Sequence, residues 1–356
     1  MSSVFDVAER ARAAADKGGT SDSSGLRDVV GRWLMFSDCG AAAQRHMAIV
    51  WCCVVGCIVA DAAWLPNSRL SFAPSNWISL LQGIGGCVLA GAFFTIAFSR
   101  VSGDARRPAV VLRRALAATE LMWRTALPIG ALLTAGVSLS YLATAADLPL
   151  QDAVLARIDR ALGFDWPRFL DLTNASPVLA TALVRVYETI GEVAKLVIVW
   201  LALTRRGERI AELLAVLSLS AVGLCIGTCL SPAAGAFAYY DPAPQLFGNF
   251  AASGEMWPFA RTFAMLRDGS LSVIDLSALQ GVVSFPSFHT MLGVMTVYAL
   301  RETRWLMIPV LLLNGTMIVS TLPVGGHHLA DVLAGAGLTF AAIALVRRMA
   351  RNQAIG

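Results

Sequence analysis

Charge is what this chain of 356 residues has least of. Asp, Glu, Lys and Arg make up 15% of it, while 56% of the residues are hydrophobic and the mean hydropathy is +0.64. An ordinary globular surface needs about 25% charged residues, so the composition argues against the two or three soluble domains that length alone would allow. Histidine is scarce too, with four residues. Cysteine is present at seven positions, Cys39, Cys52, Cys53, Cys57, Cys87, Cys225 and Cys229, yet none falls in a segment expected on the outer side. That placement argues against a disulfide framework, and the spacings make no zinc pattern, so most read as small apolar packing residues. No basic patch interleaved with aromatics is found, which removes nucleic acid from the expected partners. No signal peptide, internal repeat or inverted symmetry is evident, and the first span is expected to act as an uncleaved insertion signal.

What the chain has instead is long apolar runs. A helix crossing hydrocarbon needs roughly 20 apolar residues, and eight segments qualify: 46–65, 77–98, 126–146, 177–203, 210–230, 281–300, 304–322 and 327–346. The expected fold is all-α, a polytopic helical membrane bundle of about eight spans. With both termini cytoplasmic, twenty Lys and Arg fall inside and six outside, the bias that sets orientation. Residues 1–45 read as a cytoplasmic tail, flexible around Gly18 to Gly25, with a short helix expected over Val4 to Ala15. Residues 46–125 hold two accessory spans and a basic inner loop, whose 99–124 stretch has the helical spacing of a segment lying along the inner surface. Residues 126–347 form the main membrane domain, and 348–356 a short inner tail. Outside, 147–176 is amphipathic, and the Pro- and aromatic-rich stretch 231–280 is long enough to cap a site.

Three of the four histidines sit in two short segments, Ser284-Phe285-Pro286-Ser287-Phe288-His289-Thr290 and Gly325-Gly326-His327-His328-Leu329-Ala330-Asp331. Each opens an apolar run, and the topology puts both at the same face and depth. His327 and Asp331 are four apart and stack on one helix face. A carboxylate there accepts from one imidazole nitrogen and leaves the other free as nucleophile or base. The other reading of the same residues is a polar cluster that caps helix ends. A metal site from His289, His327, His328 and Asp331 is disfavoured because adjacent helical residues diverge by roughly 100°, and no cofactor is called for.

Pro286-Ser287-Phe288-His289 resembles the second signature of the type 2 phosphatidic acid phosphatase superfamily, usually Pro-Ser-Gly-His. Ser320-Thr321, five residues, His327, three residues, Asp331 resembles the third, usually Ser-Arg-x5-His-x3-Asp, with its spacing matched in full. The resemblance covers roughly 177–346. Phe288 replaces the glycine, Thr321 replaces the phosphate-binding arginine, and the Lys-x6-Arg-Pro signature is absent from 231–280. These departures look like the inositolphosphotransferase-like branch, similar to fungal inositol phosphorylceramide synthase (aureobasidin-resistance-like). The resemblance implies a six-helix catalytic core and a membrane lipid phosphate or phospholipid as substrate. It also implies metal-independent phosphoryl cleavage or transfer, with His327 as nucleophile, Asp331 as its orienting carboxylate and His289 as acid and base.

Other residues keep two readings each. Arg261 and Arg267, in the long loop, are phosphate anchors or plain surface charges. His328 is a ligand contact or an interfacial anchor. Ser287 is a phosphoryl contact. Ser320 and Thr321 contact phosphate or hydrogen-bond a helix end. Gly325-Gly326 permits a tight turn or a close approach of amides to phosphate. Arg185, Glu188, Glu192 and Lys195, spaced three, four and three, lie along one face of the fourth span. They form either a self-neutralising network or, with Tyr187, a polar wall of the substrate chamber. Arg-rich inner loops fit a bacterial inner membrane with the site on the periplasmic side. A proton-coupled transporter and a catalytically dead lipid-binding protein are the alternatives from other classes.

Overall fold

The computed structural model describes residues 31–103, 106–252 and 257–352. The expected helix over Val4 to Ala15 and the flexible stretch after it lie outside them. The described chain is a bundle of helices, as expected of an all-α polytopic membrane protein. Its strand content is one parallel two-residue pair, β1 (Ser71–Phe72) with β2 (Val273–Ile274).

The helices in chain order are α1 (Ala41–Trp64), α2 (Ser75–Val101), α3 (Arg107–Ala145), α4 (Asp152–Ala161), α5 (Trp166–Asn174), α6 (Pro177–Glu188) and α7 (Ile190–Leu203). They continue with α8 (Gly207–Leu230), α9 (Ala236–Tyr240), α10 (Gly248–Ala251), α11 (Pro258–Asp268), α12 (Phe288–Ala299), α13 (Arg304–Ser320) and α14 (Leu329–Asn352). Five stretches are long and apolar enough to cross a membrane, Ala41–Asn67, Ser75–Val101, Arg107–Ala145, Gly207–Leu230 and Leu329–Ala350, with Arg304–Ser320 shorter. α8 is the central pillar and packs on α1, α3, α12 and α14. Its Ile210, Ala211, Leu214, Ala215 and Val216 are buried in the main core with Met291 and Met295 of α12 and Val346 of α14.

Three expectations change. The segment 99–124 does not lie separately along a surface: from Arg107 it forms one 39-residue helix with the third span. At 1.5 Å per residue α3 is about 58 Å long, well beyond a hydrocarbon core of about 30 Å. Its buried Arg124 is held by both carboxylate oxygens of Asp38, at 2.9 and 2.6 Å, with Phe36 under the guanidinium at 4.6 Å. The fourth span is broken at Thr189 into α6 and α7, which lets α6 pack on α13 while α7 packs on α3 and α12. The sixth begins at Phe288 rather than near 281, because Ser287 turns the chain with extended geometry and its hydroxyl accepts from the amide of Thr290.

The amphipathic reading of 147–176 materialises as α4 and α5. Asp165 and Ser176 cap α5 and α6, and Pro167 and Pro177 follow in the first turns. Trp166 and Leu170 of α5 are fully buried beneath α9 and α10. These small helices form the end of the bundle where α12 and α14 begin.

Candidate active site

α12 and α14 start side by side because their backbones touch. The amide of Ser287 donates to the carbonyl of Asp331 at 3.0 Å. Gly335, one turn further along α14, admits the Ser287 backbone where a β-carbon would sit 2.5 Å from its carbonyl oxygen. The two histidine segments, about forty residues apart in sequence, are thereby locked in one register.

Around His327 the contacts leave one nitrogen available. Nδ1 lies 3.2 Å from Asp331 Oδ2, and the same oxygen accepts from the amide of His328 at 2.9 Å and the hydroxyl of Ser284 at 3.3 Å. Three donors on one carboxylate oxygen hold Asp331 as an acceptor and fix the ring with Nε2 pointing away. Nε2 faces Ser287 Oγ at 3.4 Å, a long contact that a reacting group can displace. His289 does not bond to His327. Its ring stacks on Tyr187, with centroids 4.5 Å apart and planes 22° from parallel. Gly325 explains how these groups come so close: a β-carbon there would sit 2.7 Å from Thr321 O, 2.9 Å from His327 Cδ2 and 3.2 Å from Tyr187 Cε2. Any larger residue would push the two rings apart. Phe237 and Trp257 stack on one another over Gly326, whose positive φ of 65° suits glycine. His327 is left 4% exposed and Ser287 fully buried.

His328 has a different environment. Nδ1 is 3.2 Å from Asp159 Oδ2, and Nε2 faces Asp152 Oδ1 at 3.4 Å, an ionic approach rather than an aligned hydrogen bond. Asp159 also accepts from the amides of Leu329 and Ala330 at 3.1 and 2.8 Å, so it caps α14 from another helix. Asp152 accepts from the amides of Ala234 and Gly235 at 3.0 and 2.8 Å. Burial lowers the affinity of His328 for a proton, but the two carboxylates outweigh it and push the pKa up to about 9. The imidazolium thus ties α4, the 232–237 loop and α14 together.

The structure gives several of the expected ligand residues other work. His328, expected as a ligand contact or anchor, has both nitrogens on carboxylates and none facing the Nε2 of His327. Thr321 donates its hydroxyl to Ile318 O at 2.7 Å, and its carbonyl accepts from the amide of His327 at 3.2 Å. It positions the histidine through its backbone and spends its hydroxyl on its own helix. Arg267 is paired with Asp147 at 2.7 Å and bonded to Leu148 O at 3.1 Å, which docks α11 on the end of α3. Arg261 is exposed on α11. Arg185 with Glu188, at 3.5 Å, and Lys195 with Glu192, at 2.6 Å, are pairs within single turns, each side chain more than half exposed. They do not wall an enclosed chamber, and of that group only Tyr187 reaches the site. Among the described residues no arginine or lysine is bonded to His327, His289, Ser287 or Asp331. Nor does any group of three His, Cys, Asp or Glu side chains form a metal-binding set.

Asp152 and Asp159 escaped the reading of the sequence, though a signal was there. Asp152, Leu155, Ala156 and Asp159 fall at i, i+3, i+4 and i+7, so the two acids lie on the buried stripe of an amphipathic helix. Charges on that stripe require partners. Arg160 lies on the exposed side of the same helix, and the Tyr240 ring lies beside His328, with centroids 6.2 Å apart.

Comparison with known proteins agrees with this geometry. Searches of curated proteins and of solved structures return no match. The family model of the PAP2 superfamily matches residues 153–345, from α4 through most of α14, and so takes in both histidine segments and Asp159 of α4. Members of that superfamily are generally phosphatases or phosphotransferases. With more than half of its length matched, and with Ser287, His289, His327 and Asp331 brought to one end of the bundle, this chain belongs to the PAP2 superfamily.

Proposed function

We propose that the protein cleaves or transfers the phosphoryl group of a membrane lipid phosphate through a phosphohistidine on His327, at the outer, periplasmic face. The observation that carries this reading is the state of the two His327 nitrogens. Nδ1 is engaged by a buried carboxylate, while Nε2 faces the Ser287 hydroxyl at 3.4 Å, with the Tyr187–His289 stack beside the ring. The Nε2 lone pair attacks phosphorus in line and the bond to the departing alkoxide breaks. His289, protonated, gives that alkoxide its proton. Asp331 stabilises the positive charge on the phosphorylated imidazole. His289, now neutral, takes a proton from the incoming hydroxyl as its oxygen attacks phosphorus, and the P–N bond breaks. Acid–base help of this kind contributes about 10²–10⁴ in rate. Ser287 Oγ and nearby amides are placed to hold phosphoryl oxygens, where charge stabilisation is the larger effect. Arg160 and Arg261, both exposed, supply the positive field that draws an anionic head group.

A second reading, transfer of a phosphorylated head group to a lipid hydroxyl as in the inositolphosphotransferase-like branch, is favoured by the aromatic cover of Phe237 and Trp257, which keeps bulk water from His327. One reaction series tests both. Purified protein is given a panel of lipid phosphates with EDTA, wild type beside His327→Ala, and then phosphatidylinositol with a lipid alcohol. Phosphate release lost in the variant supports hydrolysis, and product formed only with the alcohol supports transfer. Neither product from active, folded protein would sink the proposal.

A further inference from the structure

At the opposite end of the bundle, where α7 passes into α8 and α12 into α13, the structure has a recess of about 730 Å³ lined by Trp200, Arg206, Arg301, Glu302, Thr303, Arg304 and Trp305. We infer that this recess is a binding site for the phosphate head group of an anionic phospholipid in the leaflet opposite the histidines. Three arginines face one glutamate, and that glutamate is shared. Arg206 approaches Glu302 at 3.4 Å and Thr303 Oγ1 at 3.2 Å, while Arg209 reaches the same carboxylate at 3.6 Å. Arg301 is held by Glu212 at 2.7 Å and lies over the Tyr298 ring at 4.0 Å. Arg304 is exposed and makes no ion pair among the described residues. Arg206, Arg209, Arg301 and Arg304 against Glu212 and Glu302 leave an excess of two positive charges.

The N-termini of α8 and α13 open here as well, and neither has a side-chain cap. Their free amides and dipoles add to the same field. The rim tells a lipid from a soluble anion. Trp200 and Trp305 pack edge to face at 5.3 Å, and Trp305 is 65% exposed. Such rings sit at the head-group level of a bilayer. From there Leu196, Ile308 and Leu312 continue as exposed apolar surface along α7 and α13, a path for acyl chains. Basic recesses between spans with this make-up suit anionic head groups.

The test is native mass spectrometry of the full chain in detergent, titrated with phosphatidylglycerol, phosphatidylcholine or inorganic phosphate. Wild type is compared with Arg206→Gln, Arg304→Gln, the double variant and His327→Ala, with the melting temperature of each recorded to confirm folding. Phosphatidylglycerol is expected to bind at least tenfold tighter than phosphatidylcholine. Each arginine change should weaken it about fivefold, and His327→Ala should leave it unchanged. Equal affinity for the two lipids, an unaltered double variant, or loss in His327→Ala would each overturn the proposal. Inorganic phosphate binding as tightly as the lipid would overturn it too.

Discussion

Two neighbouring imidazoles divide the head of α14 into two regions with opposite characters. On one side His327, just ahead of α14, meets a single carboxylate, Asp331, from the first turn of that helix, and its Nε2 is left for the chemistry we propose. On the other, His328 meets Asp159 and Asp152 from α4, and both its nitrogens are committed. Both precede Leu329, the first residue of α14, and there they diverge: His327 faces Ser287 at the start of α12, and His328 faces the packed layer beneath α4. The number and origin of the carboxylates, and not the histidines themselves, decide which ring is poised and which is structural. A local i, i+4 pair orients a ring without exhausting it. A pair of buried acids from another element turns a ring into a cationic clamp.

Changes on the His327 side should cost activity and spare the fold, and changes on the His328 side should do the reverse. The largest effect is expected from His327→Ala, a loss of about 10⁴-fold or more in phosphoryl transfer with little change in melting temperature. His289→Gln should follow with a loss of about 10²–10⁴, and here a supplied small acid such as imidazole should recover part of the rate. If either variant instead melted as early as a His328 variant, the division between the two regions would fail. Asp159→Asn removes one partner of a buried ionic cluster and an α14 cap, and should lower stability by about 3–5 kcal/mol, read by thermal or denaturant unfolding.

The pH dependence sharpens the contrast. The folded-state pKa of His328 is raised to about 9 from an ordinary value of about 6.5. Its stabilising contribution is therefore fully present below about 6.5 and is lost as pH rises through about 9. The melting temperature of the wild type should fall across that window, and His328→Gln should flatten the slope. An unchanged slope in the variant would mean that the proton sits elsewhere. The smallest effect is expected from Arg267→Gln, whose partially exposed pair with Asp147 contributes less than about 1 kcal/mol. Turnover should stay at the wild-type level, whereas a large fall in kcat/KM would return Arg267 to the site.

The sequence revealed what depends on local spacing. The His327–Asp331 pairing was legible in its four-residue spacing, although His327 precedes the first turn of α14, and the shared end of α12 and α14 follows from an even number of crossings, two, between the two motifs. The all-α character was legible in the apolar runs. What depended on distant partners was hidden. Nothing near Arg267 announces Asp147, and nothing near His328 announces Asp152 and Asp159, more than 160 residues earlier. The break at Thr189 has no proline nearer than Pro177 at the start of the run, and the reason for it, that α6 and α7 pack on different neighbours, is tertiary. The late start of α12 could have been read from Ser287, a capping residue one place after Pro286, but the apolar residues before it masked the boundary. Arg185, Glu188, Glu192 and Lys195 matched a chamber wall in spacing alone, and spacing does not say which way a stripe faces.

The central claim is that His327 carries the phosphoryl group. Protein incubated briefly with a lipid phosphate labelled on phosphorus, quenched in alkali and digested, should yield label on the peptide containing His327. That label should survive base and be released by acid, as a phosphoramidate does, and be absent from His327→Ala. Label on another residue, or steady turnover with no trapped label even when His289→Gln slows the second step, would contradict it.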